Sequence, residues 1–411
     1  MACTLLLRQT LRVATASRAG IFLAPVLSQR GSPNSLGVRK EFHIGPALPI
    51  DAVLDPLCAA LTRGHAVLAA PPGSGKTTKV PLALLGQPWL HGQRLLMLEP
   101  RRPAARLAAA RMAAMLGESV GETVGYQVRF ERRIGPQTRL EVLTEGLLTR
   151  RLQGDPSLEG VGLVIFDEFH ERSLQADLGL ALTLDAAGAL RPDLRILVMS
   201  ATLEHEAVAR VLGDAAVVQA HGREHPVQLR YLERAPGGDP VDTAVHASQR
   251  AFAEQAGDLL VFLPGVGEIH RARERLASSL GEVAHVLPLH GDLPTGEQDL
   301  ALRPAAGSGR RVVLSTDIAE TSVTIEGVSV VVDSGLARKP RFDPVSGLSR
   351  LVTEAISRAS AQQRAGRAGR LGPGVCYRLW SPEQERSRPA YRTPEILQAD
   401  LLALDRDRGA P

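Results

Sequence analysis

Cysteine is scarce, and the three present, Cys3, Cys58 and Cys376, share no CxxC spacing. That argues against a zinc site or a disulfide framework and fits a reducing compartment. Lysine numbers four in 411 residues, so positive charge is almost all arginine, as in GC-rich genomes. No apolar run approaches the roughly 18 residues of a membrane-spanning helix. Short-period repeats and low-complexity tracts are missing from the body, which excludes solenoids and disordered arrays. What is present is 44% hydrophobic and 22% charged residues. A sizeable core can form, and the length suits two or three domains.

The formal net charge of +4 invites a nucleic-acid partner, but its distribution weakens that inference. Acids are absent before Glu41, where six cations (Arg8, Arg12, Arg18, Arg30, Arg39, Lys40) give residues 1–44 a net +5 and leave −1 for the rest. A case for nucleic acid must therefore rest on individual arginines. Residues 1–44 match an organellar transit peptide; an unstructured extension or a start placed too far upstream fits as well. We exclude them from the fold. The bacterial cytoplasm is the expected location, or a mitochondrion or plastid if the segment is a true transit peptide.

Beyond residue 44, short apolar runs alternate with stretches of helical period. Strands are expected at His65–Ala70, Arg94–Leu98, Leu140–Leu143, Leu163–Phe166 and Arg195–Met199. After a Gly/Pro-rich stretch come Leu259–Leu263, Ala284–Leu289, Arg311–Leu314, Val328–Val332 and Val375–Leu379. Strands apolar throughout, separated by helices, read as parallel sheets covered on both faces. The expected organisation is α/β: a domain over 45–228, a second over 229–385, and a remnant over 386–411.

Ala70-Pro-Pro-Gly73-Ser74-Gly75-Lys76-Thr77, followed by Thr78, lies between a strand and a helix. Glycines let main-chain N–H groups curl around phosphates at a helix start; Lys76 adds charge and Thr77 a hydroxyl for Mg²⁺. A chance Gly-rich turn is the alternative. Ninety-one residues beyond Lys76, the apolar run Gly162–Phe166 ends in Asp167-Glu168-Phe169-His170-Glu171-Arg172. Asp167 there would hold Mg²⁺ and Glu168 would polarise the attacking water. Farther on, Gln362–Arg370 reads QQRAGRAGR; on a helix, Gln363, Arg367 and Arg370 share one face. Arg/Gly repeats can also be disordered RNA-binding tails, but apolar strands flank this one.

Asp-Glu-x-His after a P-loop resembles superfamily-2 helicases of the DEAH class, and the other motifs follow in order. The resemblance implies two tandem RecA-like domains and an RNA-stimulated ATPase or helicase using ATP, or other nucleoside triphosphates, with Mg²⁺. A nucleic-acid-remodelling NTPase without strand separation and an inactive RNA-binding fragment are the alternatives. By the same resemblance Gln363 orients the water, Arg367 and Arg370 are arginine fingers, and His170 joins the catalytic group. Gly73, Ser74, Gly75, Lys76, Thr77, Thr78, Arg111 and Asp317 fall on the nucleotide. Arg101, Arg102, Thr144, Glu145, Gly146, Gly222, Arg223, Thr316 and Thr324 fall on nucleic acid. Ser200 and Thr202 couple hydrolysis to domain closure. Arg338–Val352 resembles the hairpin held against the nucleic-acid channel, or is a plain surface hairpin. Contacts mostly to phosphates would make 3% aromatic content tolerable.

Two departures qualify the resemblance. Relatives stack the base between an arginine, here Arg111, and a phenylalanine, where this chain has Leu302-Arg303; weak nucleoside discrimination is expected. The family also continues into a winged helix and further domains. Residues 394–404 look like the start of one, so a truncated, monomeric chain is expected.

Overall fold

The computed structural model describes residues 48–201, 205–222, 225–233, 237–303, 309–320, 325–343 and 345–400. Two sheets carry the architecture. The first contains β1 (Ala66–Ala69), β2 (Arg94–Glu99), β3 (Val124–Val128), β4 (Glu131–Arg133), β5 (Leu140–Thr144), β6 (Val161–Phe166), β7 (Arg195–Ser200) and β8 (Ala216–Gln219). Their order is β4-β3-β5-β2-β6-β7-β1-β8, and every pairing except β3 with β4 is parallel. The second contains β9 (Val227–Tyr231), β10 (Asp258–Phe262), β11 (Ala284–Leu289), β12 (Arg310–Ser315), β13 (Val328–Asp333) and, after a hairpin, β16 (Gly374–Arg378). It runs β11-β12-β10-β13-β16-β9, parallel throughout; the hairpin is β14 (Leu336–Asp343) with β15 (Leu348–Ala355).

Period-2 geometry explains why the central strands do not alternate in polarity. Leu95, Met97, Leu163, Ile165, Leu197 and Met199 enter one core, while Leu96, Leu98, Val164, Phe166, Ile196 and Val198 enter another on the opposite face. In the second sheet Val261 and Val312 face one cluster, and Leu260 and Val313 the other. Burial on both faces requires apolar side chains at every position. Truncating one, Leu163→Ala for instance, would cost about 2–5 kcal/mol.

Helices cover these faces: α1 (Leu54–Arg63), α2 (Lys76–Leu84), α3 (Arg102–Leu116), α4 (Glu145–Gly154), α5 (Leu174–Ala189) and α6 (His205–Val211) in the first domain. The second has α7 (Pro240–Glu254), α8 (Val266–Leu280), α9 (Thr295–Leu302), α10 (Arg358–Ala365) and α11 (Pro382–Ser387). Ends follow local chemistry: Pro103 sits in the first turn of α3, and Gly117, at φ +72°, closes it. None of the described helices is long and apolar enough to cross a membrane.

The expected helical run does not continue to Arg370. The helix ends at Ala365, and tight turns follow: the Arg367, Ala368 and Gly369 amides donate to the carbonyls of Arg364, Ala365 and Gly366. Gly366 and Gly369 weaken an α-helix there, yet Gln363, Arg367 and Arg370 still line one cleft. The expected start of a winged helix shows one short turn, Glu395–Leu397, with residues 401–411 outside the described part.

Candidate nucleotide site between the two domains

Parallel strands deliver the site at their carboxyl ends. The P-loop follows β1 and the acid pair follows β6; Ala70 donates to the Ser200 carbonyl of β7 at 3.0 Å, and Asp167 to that of Leu98 at 3.1 Å. Gly75 caps α2 at φ +94°, a left-handed conformation, and an added Cβ would lie 2.6 Å from Leu48 Cδ1. Any side chain there would be strained and crowded. The turn leaves Gly73 exposed and drives Lys76 into the interior.

Lys76 Nζ donates to Glu168 Oε1 at 3.0 Å, both side chains being buried. Thr77 Oγ1 donates to Asp167 Oδ2 at 2.6 Å, while Asp167 Oδ1 accepts from the Glu168 amide at 2.8 Å. Thr78 lies half-buried in the first turn of α2. Glu168 adopts φ +50°, ψ 32°, rare for a side-chain-bearing residue and a sign of strain held by the surrounding structure. Burial acts to raise its carboxyl, but Lys76, His170 and Arg367 outweigh that and hold it at about 2. Burial instead pushes Asp167 up to about 6, against the pull of Lys76. His170 Nδ1 lies 3.4 Å from Glu168 Oε2 and accepts from the Ala201 amide at 3.5 Å, joining the acid turn to Ser200-Ala201. Burial lowers its pKa, which favours the neutral ring.

Glu99 ends β2 beside this group. It is fully buried, and among the described residues neither carboxyl oxygen has a hydrogen-bond partner. Burial, then Asp167 and Glu168, raise its carboxyl well above the ordinary carboxylate value.

The second domain faces the P-loop across a cleft of about 1260 Å³ whose walls include Gly73, Ser74, Gln363, Arg367 and Arg370. Arg367 Nε donates to the Glu320 carbonyl at 3.0 Å. Burial and the neighbouring Arg370 push the Arg367 guanidinium well below its ordinary pKa, with Glu168 opposing from the other domain. Burial lowers Arg370 to about 10. Beneath them Arg364 is buried between Glu320 (3.0 Å) and Asp333 (2.9 Å). The sequence reading gave Glu320, Asp333 and Arg364 no individual role. The available signal was an acid, Asp333, closing the all-valine end of β13.

Several residues expected on nucleic acid have partners within the protein. Arg101 is turned into the cleft: it donates to Glu171 Oε2 at 3.1 Å and to Asp317 Oδ2 at 3.2 Å. The Glu145 carboxyl is buried and accepts from Ser173 Oγ, which leaves only its main-chain amide for a ligand. Gly222 abuts the P-loop, where a Cβ would lie 2.6 Å from Pro71 Cγ, and it lines the same cleft. Arg102 and Gly146 are exposed at the starts of α3 and α4; Thr144 and Thr316 are half-buried at strand ends. Arg111, expected beside the base, is exposed on α3 one turn after Leu107, which packs against the second domain's core; Leu302 belongs to that core. Thr202, Arg223 and Thr324 lie outside the described residues.

These elements define two tandem RecA-like domains of the helicase type, and the chain belongs to the DEAD/DEAH-box helicases. The DEAD/DEAH box helicase family matches residues 55–211, and the helicase conserved C-terminal domain matches 244–372. The chain is 51% identical over 360 residues, 87% of its length, to the ATP-dependent RNA helicase HrpB of Escherichia coli strain K12, and covers 44% of that protein. It is 40% identical over 349 residues to the probable ATP-dependent RNA helicase DHR2 of Saccharomyces cerevisiae, covering 82% of this chain and 47% of the relative. The crystal structure of the Escherichia coli DEAH/RHA helicase HrpB superposes with a TM-score of 0.83 at 50% identity, over 88% of this chain and 46% of the other. The chain thus spans less than half the length of these relatives.

Proposed function

We propose that the chain is an RNA-stimulated nucleoside triphosphatase, and the motor portion of an RNA helicase, that hydrolyses ATP between its two domains. The observation carrying this reading is the cross-cleft arrangement: Lys76 and Glu168 in one wall, with Arg367 close enough in the other to depress the Glu168 pKa. Gly73 to Thr78 would cradle the phosphates, with Lys76 countering their charge. Glu168, ionised at neutral pH, would accept a proton from the attacking water held by Gln363, while Arg367 and Arg370 would neutralise charge on the transferred phosphoryl group.

Mg²⁺ suits the residues present. A hydroxyl and a carboxylate, Thr77 and Asp167, stand together, and a buried acid cluster favours a divalent cation. Once bound, the ion would supply charge neutralisation to the β- and γ-phosphates. Among the described residues no cluster of three or more His, Cys, Asp or Glu side chains forms a dedicated cage, consistent with an ion shared with nucleotide.

Arg102, the amides at the starts of α3 and α4, and the β14–β15 hairpin would grip RNA phosphates, giving binding without sequence preference. The boundaries 45–228 and 229–385, a monomeric state and a location in the bacterial cytoplasm complete the proposal. Steady-state phosphate release with and without single-stranded RNA tests it. Stimulation that disappears in Glu168→Gln and Arg367→Ala is expected; equal rates with and without RNA would sink the reading.

A further inference from the structure

Arg101 and Asp317 are 216 residues apart and belong to different domains, yet the arginine spans the cleft between them. Its guanidinium donates to the Asp317 carboxylate and main-chain carbonyl, and on its own side to Glu171, three residues past the catalytic acid. Three partners exhaust most of its donors, and its side chain is 17% exposed. Asp317 opens a single turn, Asp317–Ala319, that is capped by Thr316 and closed by the Glu320 amide donating to the Asp317 carbonyl at 3.0 Å. Glu320 in turn holds three arginines. Its carboxylate takes Arg364 at 3.0 Å and Arg392 at 2.8 Å, and its carbonyl takes Arg367 Nε at 3.0 Å. One hydrogen-bonded turn therefore separates the Arg101 anchor from the carbonyl that orients Arg367.

We propose that Arg101 is a positioning residue for Arg367, acting through the Asp317–Glu320 turn, and that it forms its tie only when the domains close. The inference rests on the NTPase reading above and assigns that site one further residue. A guanidinium fits the task because its planar fork spreads fixed donors over separate nitrogens that reach two carboxylates and a carbonyl, a spread that the single nitrogen of an ammonium lacks. The tie would also report closure to the acid turn, since Glu171 and Glu168 share it.

Three measurements on the full chain test this. In phosphate release, Arg101→Gln should lower kcat at saturating RNA by ~10- to 100-fold, the scale expected when a catalytic group is misplaced. Arg101→Lys should recover only part of that loss, and Arg101→Gln combined with Asp317→Asn should be no worse than the poorer single variant. The affinity for a fluorescent single-stranded RNA without nucleotide, and its salt dependence, should not change. A weaker affinity with a salt slope reduced by about one, at unchanged kcat, would instead make Arg101 a phosphate contact and overturn the proposal. Multiplicative effects of the two substitutions would overturn it as well. Hydrogen exchange of the amides of residues 317–320 supplies a readout independent of turnover: it should quicken in Arg101→Gln. Should the wild-type chain lack RNA-stimulated turnover, the NTPase reading fails, and unchanged exchange in that turn would dispose of the tie separately.

Discussion

In the first domain Glu99, Asp167 and Glu168 crowd around Lys76, whereas in the second Arg364 lies between Glu320 and Asp333, Arg367 is held at Glu320, and Arg370 stands beside Arg367. The acid-rich wall holds Asp167 at about 6, because burial penalises a carboxylate that Lys76 only partly offsets, and raises Glu99 well above its ordinary value. The arginine-rich wall does the reverse, with burial lowering Arg367 and Arg370. Each half is strained in the direction that the other half relieves: Arg367 lowers the Glu168 pKa, and Glu168 supports both Arg367 and Arg370. Phosphates and a divalent cation would relieve both. A site divided in this way is incomplete in either domain and assembled by their approach, which is what a hydrolysis cycle tied to domain movement requires.

Removing charge from one wall at a time breaks that complementarity. The largest effect is expected for Arg367→Ala: RNA-stimulated kcat should fall by about 10³-fold or more, as for arginine fingers generally. Nucleotide affinity, followed with a fluorescent analogue, should change far less. Glu168→Gln attacks the other wall. Loss of the base should cost about 10²- to 10⁴-fold in kcat, with nucleotide still bound. A Glu168→Gln chain that turns over at more than a tenth of the wild-type rate would move the base elsewhere.

The two positions expected beside the base sharpen the contrast, since neither carries an aromatic ring. Leu302 is packed in the second domain's core, and Arg111 stands exposed on α3. Without a buried partner for base edges, kcat/KM for ATP, GTP, CTP and UTP should differ by less than about 10-fold. A spread of 10³-fold would show that base recognition comes from groups not identified here.

The ten strands read from the sequence are all present, because burial on both faces writes an uninterrupted apolar run such as Val161–Phe166. The missed ones are the marginal strands. β4, β8 and β9 lie at sheet edges, where one side meets solvent and polar residues such as Gln228 and Arg230 are tolerated; β3 is interrupted by Gly125. Lys76, Thr77, Asp167 and Glu168 were legible because short segments carry them at fixed places relative to a strand. Arg101, Glu171 and Asp317 were not legible as a group. Their association depends on how two domains meet, and an arginine beside a helix start reads the same whether it faces RNA or a carboxylate 216 residues away. Glu145 misled for a related reason: its position at the start of α4 matched a phosphate-binding motif, while its burial against Ser173 arises from α5.

Glu145 therefore supplies the smallest and most local prediction, one that separates a structural acid from the functional ones. Burial lifts its carboxyl to about 7; the Ser173 hydroxyl opposes this, and Glu171, Glu395 and Asp177 reinforce it. Because the folded pKa lies above the unfolded value, the folded chain retains a proton that the unfolded chain has released. The resulting stabilisation is complete below about pH 4.5 and declines as pH rises through 7. Glu145→Gln cannot ionise, so its stability relative to wild type should improve steadily from pH 5 to pH 8, by about 1–3 kcal/mol at most. In a two-domain chain that is a Tm difference of a few degrees, read by scanning calorimetry at several pH values. A Tm difference that stays constant over the range would mean that Glu145 is already ionised in the fold. RNA-stimulated turnover at pH 7 should change little, because the carboxyl faces Ser173 and not the cleft.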